Sequence, residues 1–381
     1  MSSRSDRGSS GVPAPGDEGL TTADPSSGSG PRVAVVGAAS VPGTRILEAC
    51  SRAARSAGGP LPVAVDRVRG RIATATWRLA DPGNPALVKA LRGVDVAVWV
   101  AAETDLQAAL AVRPAARRER VVRIAQTLVT AAAAASVSRL VVVTSAQVYG
   151  AAADNPVPLP EASELKAVRD GGVVGDLLAV EEVLDDARRV HPRLAITVVR
   201  PAALVGPGID TVITRHFEAP RLLTVKGAEP AWQFCHIDDL AAAIRVLVDV
   251  VLGPVVTVGS PGWLSQERLE SLTGMRRVQL SEAAALGTAA RLHRFGVLPA
   301  PASELAHALY PWVIDSASLR AAGWAAAYDN ETCVGVMLES IKGRRALAAR
   351  RVERKDAALG AASAAVALVG TAAVLRRARR P

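Results

Sequence analysis

The segment Gly37–Gly43, with the sequence GAASVPG, has the residue types and spacing of a phosphate-binding turn. It follows the β-branched run that ends at Val36 and precedes helical sequence from about Thr44. The N-terminus of a helix offers unpaired N–H groups and the positive end of its dipole to an anion, and glycines allow close approach of the backbone. Ordinary turn chemistry would also explain Gly and Ser here. Because the turn joins a strand to a helix, we favour nucleotide binding.

Asp66 is the second residue with a defined chemistry, because it ends a second short apolar run that begins at Pro62. A carboxylate at this place can accept both ribose hydroxyls of an adenosine and repels a 2′-phosphate, which predicts NAD rather than NADP. Arg67 and Arg69 are close enough to weaken that preference, so NADP stays the alternative. An ordinary turn residue at the end of a strand would also explain Asp66.

Ser145 is the candidate catalytic residue. Its hydroxyl follows the apolar run that begins at Arg139, and it could orient a substrate without shuttling a proton. The chain has three tyrosines, Tyr149, Tyr310 and Tyr328. Between residues 160 and 200 there is no tyrosine and the only lysine is Lys166. The sequence therefore offers a substrate-orienting hydroxyl without an obvious base.

The elements that must position these residues alternate between strands and helices. The predicted strands are 32–36, 62–66, 95–101 and 139–145, and the predicted helices include 44–57 and 117–135. This order predicts an α/β fold, a Rossmann-like doubly wound parallel sheet. After Gly206 the pattern is punctuated by Pro and Gly, which suits a small C-terminal substrate-side subdomain.

Further segments resemble one family in their order along the chain. They are Val141–Gly150, Val198–Gly208, Phe234–Ala241, Thr257–Gly259 and Asp315–Ser318 with Gly323 and Trp324. Together with the turn and Asp66 they resemble the atypical extended short-chain dehydrogenases/reductases of the NAD-dependent epimerase/dehydratase family, and within it actinobacterial UDP-glucose 4-epimerase-like proteins. The resemblance implies NAD, a nucleotide-sugar ligand and a homodimer.

The same resemblance assigns roles to single residues. It implies cofactor contacts at Gly37, Ser40, Val41, Gly43, Asp66, Arg67, Leu79, Ala101, Ala102, Thr144 and Pro201. It also implies packing roles for Tyr149 and for His236, whose family counterpart bonds backbone, although His236 is the first alternative base. Trp232 and Phe234 are more typical of a strand core than of a stacking surface.

The acid–base pair of the family, Tyr-x-x-x-Lys followed by Glu, is missing. The residues at its positions are apolar in both registers that the sequence allows: Val173 and Leu177 counted back from Glu181, or Val174 and Leu178 counted back from Glu182. The adenine-contacting Asp is replaced by Arg78, the helix Asn by Val121, and the diphosphate-binding Arg by Trp232. The sequence therefore predicts a weakly active or noncanonical enzyme, with a catalytically silent NAD-binding sensor or scaffold at the cytoplasmic membrane as the alternative.

The net charge of +9 comes from one end of the chain. Residues 342–381 hold eleven Lys and Arg against two acids, so residues 1–341 are neutral in sum. With few aromatic residues and no nucleic-acid motif, nucleic acid is excluded as a predicted partner. The three cysteines lack the spacing of metal ligands, so no metal is expected and a cytoplasmic location is predicted.

Three regions follow from these patterns. Residues 1–30 are predicted to be disordered, and 31–341 to form the NAD(P)-binding domain, with the substrate-side subdomain mainly in 207–330. Residues 342–381 are a basic tail whose uncharged segment 357–375 would span about 28 Å as a helix. This segment is a candidate membrane helix, and its flanking arginines suit an anionic membrane surface. A solvated Ala/Arg tail is the alternative.

Overall fold

The computed structural model describes residues 30–295, 298, 300–342, 344, 346–347 and 350–351. In chain order its strands are β1 Val33–Val36, β2 Val63–Asp66, β3 Thr76–Leu79, β4 Val96–Val100, β5 Arg139–Val143, β6 Ala195–Pro201, β7 Ala203–Val205, β8 Leu222–Val225, β9 Ala231–Trp232, β10 Phe234–His236, β11 Val255–Val258, β12 Leu264–Ser265, β13 Arg277–Leu280, β14 Ala346–Leu347 and β15 Arg350–Arg351. Its helices are α1 Val41–Ala57, α2 Leu87–Ala90, α3 Leu106–Leu110, α4 Pro114–Ala134, α5 Val173–Val190, α6 Val212–Phe217, α7 Ile237–Asp249, α8 Gln266–Thr273, α9 Glu282–Arg294, α10 Ala302–Leu305, α11 Ala317–Ala321 and α12 Asn330–Ile341.

Seven parallel strands form the central sheet in the order β11-β6-β5-β4-β1-β2-β3. The strand order reverses between β1 and β4, which is where open α/β sheets bind their ligands. The predicted Rossmann-like fold class is therefore confirmed.

The strand side chains alternate between two cores, one on each face of the sheet. In β1, Val33 and Val35 belong to the core shared with α1 and α7, whereas Ala34 and Val36 belong to the core shared with α2, α4 and α5. Burial on both faces explains why these strands are continuously apolar.

Helix α1 begins earlier than the sequence predicts, at Val41 instead of Thr44. The hydroxyl of Ser40 accepts a hydrogen bond from the amide of Gly43 and so caps the helix. A serine cap lets Val41 and Pro42 form the first turn, since proline is well suited to that turn.

Shorter strand pairs lie on the C-terminal side of the sheet: β7 with β10, β8 with β13, and β9 with β12. They accompany α6, α8, α9 and α10 in the part of the chain where the sequence predicts a substrate-side subdomain. The limits 207–330 for that subdomain stay a prediction.

Candidate functional site

The candidate site lies at the carboxyl ends of β1, β4 and β5, where the turn, Ser145 and two loops meet. The loop after β4 is tied to β5 by the amides of Ala101 and Ala102, which both donate to the carbonyl of Val143, at 2.8 and 3.1 Å. The same loop pairs with the loop after β7 through a parallel bridge between Asp105 and Asp210. These backbone contacts hold the loop at the carboxyl end of the sheet, where open α/β folds have their ligand-binding crevice.

The loop after β7 is held by a buried ion pair. Both oxygens of Asp210 accept from Arg215, at 2.8 and 2.7 Å, and Arg215 also donates to the side chain of Gln107 at 3.2 Å. The side chain of Arg215 is almost fully buried. Loops that follow β4 and β7 are thus locked together beside the crevice, a feature that the sequence analysis missed.

The glycine turn is tight because its two ends touch. Gly37 has φ +77°, a conformation that favours glycine. A Cβ on Gly43 would lie 2.2 Å from the carbonyl oxygen of Gly37. Both glycines are therefore required by the turn itself, as expected for a phosphate-binding turn.

Asp66 lies beside this turn and helps to shape it. Its carboxylate accepts from the amide of Ala39 at 2.9 Å and from the amide of Arg67 at 2.7 Å. Each oxygen retains a further lone pair, so the carboxylate can still accept from a ribose hydroxyl. Leu79, the register partner of Asp66 on β3, is 64 % exposed and presents an apolar surface beside the carboxylate.

Arg78, which stands where the family has an adenine-contacting Asp, points away from this role. Its guanidinium donates to the carbonyl oxygens of Ala90 and Arg92, both at 2.8 Å, and so closes the end of α2. Both hydrogen bonds hold the guanidinium of Arg78 against the backbone at the end of α2.

Ser145 stays half-buried at the end of β5, where its hydroxyl caps a short 3₁₀ turn. The hydroxyl accepts from the amide of Gln147 at 3.2 Å. Thr144 beside it is buried, and its hydroxyl donates to Glu181 at 2.7 Å. Only the backbone of Thr144 can therefore face a ligand.

Glu181 distinguishes the two registers that the sequence leaves open. It is buried and accepts from Arg200 at 3.2 and 2.6 Å, whereas Glu182 is exposed and pairs with Arg169. The burial of Glu181 favours the register that is counted back from Glu181. In that register the two positions are Val173, the first residue of α5, and Leu177, one turn further along the helix.

The start of α5 is covered by the segment 301–310 from the C-terminal part of the chain. The carboxylate of Glu304 accepts from the amides of Val173 and Val174, and His307 Nε2 lies 2.9 Å from the carbonyl oxygen of Gln147. Glu304 is buried, and desolvation raises its pKa to about 7 despite the two amide donors. No sequence signal could identify Glu304, because its partner Val173 is 131 positions away.

His236 and Tyr149 occupy structural positions. His236 Nδ1 accepts from the amide of Asp238 at 3.2 Å and caps α7, while its ring stacks on Tyr328 at 3.7 Å between centroids. Burial lowers the pKa of His236. The hydroxyl of the buried Tyr149 donates to the carbonyl of Glu161 at 2.7 Å, and burial raises the pKa of Tyr149. Neither side chain is placed as the missing base.

Trp232 and Phe234 belong to a buried aromatic cluster, as the sequence pattern predicts. Trp232 stacks on Phe234 and on His216, at 6.4 and 5.7 Å between centroids. Its indole N–H donates to Gln266 at 2.8 Å, so no group remains to bind a diphosphate.

A cavity of about 440 Å³ opens next to Tyr149, between the loop 150–155 and helices α9 and α10. Its polar lining includes Lys166, Glu282 and Tyr310. This volume lies within the range of about 300–1,000 Å³ that small-molecule sites occupy.

Comparison with known proteins identifies the family. The sequence profile described as the NAD dependent epimerase/dehydratase family matches residues 33–259. The chain therefore belongs to this family, as its motif order predicts. The prediction of NAD agrees with the cofactor for which the family is described.

Solved structures share the fold at low sequence identity. A UDP-N-acetylglucosamine 4-epimerase from Bacillus cereus is 18 % identical, with a TM-score of 0.55, and the match covers 81 % of this chain and 99 % of that one. A UDP-glucose 4-epimerase from Thermotoga maritima, solved with UDP-glucose, is 14 % identical, with a TM-score of 0.59 and coverage of 82 % and 98 %. A dTDP-glucose 4,6-dehydratase from Streptomyces venezuelae, solved with NAD, is 17 % identical, with a TM-score of 0.59 and coverage of 82 % and 97 %.

Uncharacterized proteins from Mycobacterium tuberculosis and Mycobacterium bovis are 29 % identical over 195 residues. The match covers 51 % of this chain and 52 % of each relative, so the chain spans about half the length of the curated relatives it matches. These mycobacterial relatives agree with the predicted actinobacterial resemblance.

The described residues contain no group of three or more His, Cys, Asp or Glu side chains arranged to hold a metal. Among their helices, none combines the length and the apolar character that crossing a membrane requires. The candidate membrane helix 357–375 lies outside the described residues.

Proposed function

We propose that this chain binds NAD and a nucleotide-sugar ligand, and that its acid–base turnover is very slow or absent. The observation that supports the proposal is the buried position of Glu181, which accepts from Thr144 and Arg200 and favours the register with the buried Leu177 at the Lys position and Val173 at the Tyr position. Neither side chain can accept or donate a proton.

Several residues of the crevice support binding of a dinucleotide, above all at its adenosine end. Gly37 and Gly43 leave the turn without side-chain bulk, Asp66 can accept from a ribose, and the exposed Leu79 can cover an adenine face. The backbone at Ala101, Ala102, Thr144 and Pro201 would border the rest of the cofactor, and Arg67 lies at its ribose end. These roles rest on the family motif and on the position of each residue.

The side chains of this protein limit the chemistry that bound NAD and a nucleotide sugar could undergo. A nicotinamide cofactor in this family takes and returns a hydride at a sugar carbon. Ser145 can orient the sugar hydroxyl, but within the described part of α5 the apolar Val173 and Leu177 cannot remove its proton. General acid–base catalysis contributes roughly 10²–10⁴-fold, which is the loss expected relative to an intact site.

A catalytically silent NAD-binding sensor or scaffold is the second candidate. It is favoured by the small core in which Leu177 and Leu178 pack against Val148. This packing stabilises the start of α5 with apolar contacts where a lysine amine would need water or a ligand.

The test separates binding from turnover. Calorimetric titration with NAD, NADP and a panel of UDP- and GDP-sugars should detect NAD and at least one nucleotide sugar. Product analysis of the same sugars should then find turnover close to background. Absence of binding of both dinucleotides at millimolar concentration would refute the proposal.

The variant Ser145→Ala tests whether Ser145 takes part in any turnover that is detected. Any weak activity should disappear in this variant if Ser145 orients the sugar. Robust turnover that survives Ser145→Ala would instead require a base that the present assignment omits, and His236→Ala would be the next variant.

A further inference from the structure

Most backbone amides of the Gly37–Gly43 turn donate to acceptors within the protein. The amides of Gly37 and Ala38 donate to the carbonyl of Val65, at 2.9 and 3.3 Å, and the amide of Ala39 donates to Asp66. The amide of Ser40 donates to the carbonyl of Gly37 at 3.1 Å. None of these groups points to a ligand.

The first turn of α1 is depleted of donors in two further ways. Pro42, at the second helical position, has no N–H group. The amide of Gly43, at the third position, is taken by the hydroxyl of Ser40 at 3.1 Å. Among residues 37–44 of the described chain, Val41 alone has an amide without a protein acceptor.

The hydroxyl of Ser40 is itself committed, because it donates to the carbonyl of Gly37 at 2.7 Å. A phosphate at a helix N-terminus is normally held by several backbone amides together with the helix dipole. Here the dipole is intact, but the donor set has been reduced to one amide by a cap and a proline.

We propose that Ser40 and Pro42 hold the affinity for NAD low by closing the pyrophosphate site, so that dinucleotide recognition depends mainly on the adenosine end at Asp66 and Leu79. This inference rests on the proposed binding of NAD. Ser40 and Pro42 are thus specificity-determining residues. Wild-type protein discriminates poorly between ligands with and without a pyrophosphate.

The substitution Ser40→Gly frees the amide of Gly43, and Pro42→Ala restores an N–H group at the second position. Neither change is costly for the helix, because glycine is an acceptable cap and alanine favours the helix. Hydrogen bonds to a charged acceptor contribute about 1.5–3 kcal/mol each, so the double variant should bind NAD at least about tenfold more tightly.

The experiment measures the dissociation constants of NAD, ADP-ribose and adenosine for wild type, the two single variants and the double variant by calorimetry. NAD and ADP-ribose should gain affinity, since both carry the pyrophosphate, whereas adenosine should change less than about twofold. Ser281→Gly and Pro114→Ala are matched controls, because Ser281 caps α9 and Pro114 begins α4. A thermal melt of each variant checks that the fold is retained.

The outcomes separate the inference from the proposed function. If wild type binds NAD and the folded double variant binds it no more tightly, the closed-site inference is wrong and NAD binding stands. An equal gain for adenosine would also overturn the inference, because the pyrophosphate would not be the group recognised. Failure of both wild type and double variant to bind NAD would overturn the inference together with the proposed function.

Discussion

Glu181 is the residue on which the proposed assignment of Val173 and Leu177 to the Tyr and Lys positions depends. Its carboxylate accepts from Thr144 and Arg200, and Arg200 also lies over the ring of Tyr149 at 4.7 Å. This buried network links the end of β5 with β6 and α5. The adjacent Glu182 is exposed on the same helix and offers a matched control.

We expect Glu181→Ala to lower the free energy of unfolding by about 3–5 kcal/mol, because it leaves the buried guanidinium of Arg200 without its counter-charge. Glu182→Ala should cost less than about 1 kcal/mol, as an exposed ion pair contributes little. Urea denaturation of both variants measures the difference. An equal loss of unfolding free energy in both variants would contradict the choice of Glu181 over Glu182 as the residue that sets the register.

We predict that the preference for NAD over NADP depends on Asp66. Removal of its carboxylate in Asp66→Ala should weaken NAD binding about tenfold or more and narrow the ratio between the two cofactors. The exposed Asp186, which pairs with Arg189, provides the control Asp186→Ala. Calorimetry with both dinucleotides is the measurement, and an unchanged ratio would contradict the assignment of Asp66.

Among the helices, α10 and α5 form the contact that most affects the site. Glu304 of α10 caps the start of α5 and lies near Asp170 and Arg117, which raise and lower its pKa respectively. Arg117 and Arg118 in turn pair with the buried Asp176 at 2.6 and 3.0 Å. The segment 301–310 is thereby attached to the start of α5, at Val173 and Val174.

The pKa of Glu304 makes this contact sensitive to pH. Desolvation raises the pKa from 4.5 to about 7 in the folded chain, so the folded state binds the proton more tightly than the unfolded state. Stability should therefore fall as the pH rises from about 4.5 to about 7. Above about pH 7 the folded state carries the full free-energy cost of ionising the buried Glu304.

Between pH 5 and pH 8, we expect the free energy of unfolding of the wild type to fall by about 2 kcal/mol more than that of Glu304→Gln, since one pKa unit corresponds to about 1.4 kcal/mol. The glutamine keeps an acceptor for the amides of Val173 and Val174 but cannot ionise. Glu164→Gln, at an exposed position, is the control. Urea denaturation at several pH values gives the difference, and parallel curves for wild type and Glu304→Gln would refute the role of Glu304.

At the scale of the whole molecule, charge divides the chain into a neutral body and a basic tail. Eleven positive charges lie in residues 342–381, around the uncharged segment 357–375. More of them precede that segment than follow it, so the positive-inside rule predicts a cytoplasmic body for a segment that spans a membrane. Membrane attachment and the predicted homodimer both stay predictions.

Truncation after Gly343 tests the role of the tail. We expect the full chain to sediment with membranes at low salt and the truncated chain to remain in the supernatant. High salt should release a helix that lies in the interface and leave a spanning helix in place, because salt screens the arginines. Equal solubility of both chains at low salt would show that the tail is a solvated extension.

Much of the fold was predictable from local sequence, because strands buried on both faces must be apolar and the glycine turn must follow β1. The same logic located Asp66 and Ser145, whose places depend on the ends of strands. The absence of tyrosine between residues 160 and 200 needed no structure at all. These features depend on residues close together in the chain or on their order.

Only the tertiary structure decided which of two adjacent glutamates faces Arg200, because one position along a helix turns a side chain by about 100°. It alone revealed that Glu304 caps α5 and that Arg215 holds the loop at Asp210 against Gln107, since these partners are distant in sequence or depend on loop geometry. It also showed that the hydroxyl of Ser40 is hydrogen-bonded within its own turn, to Gly37 and Gly43. The sequence determined which chemical groups this protein has, and the packing of distant segments decided which of them remain available to a ligand.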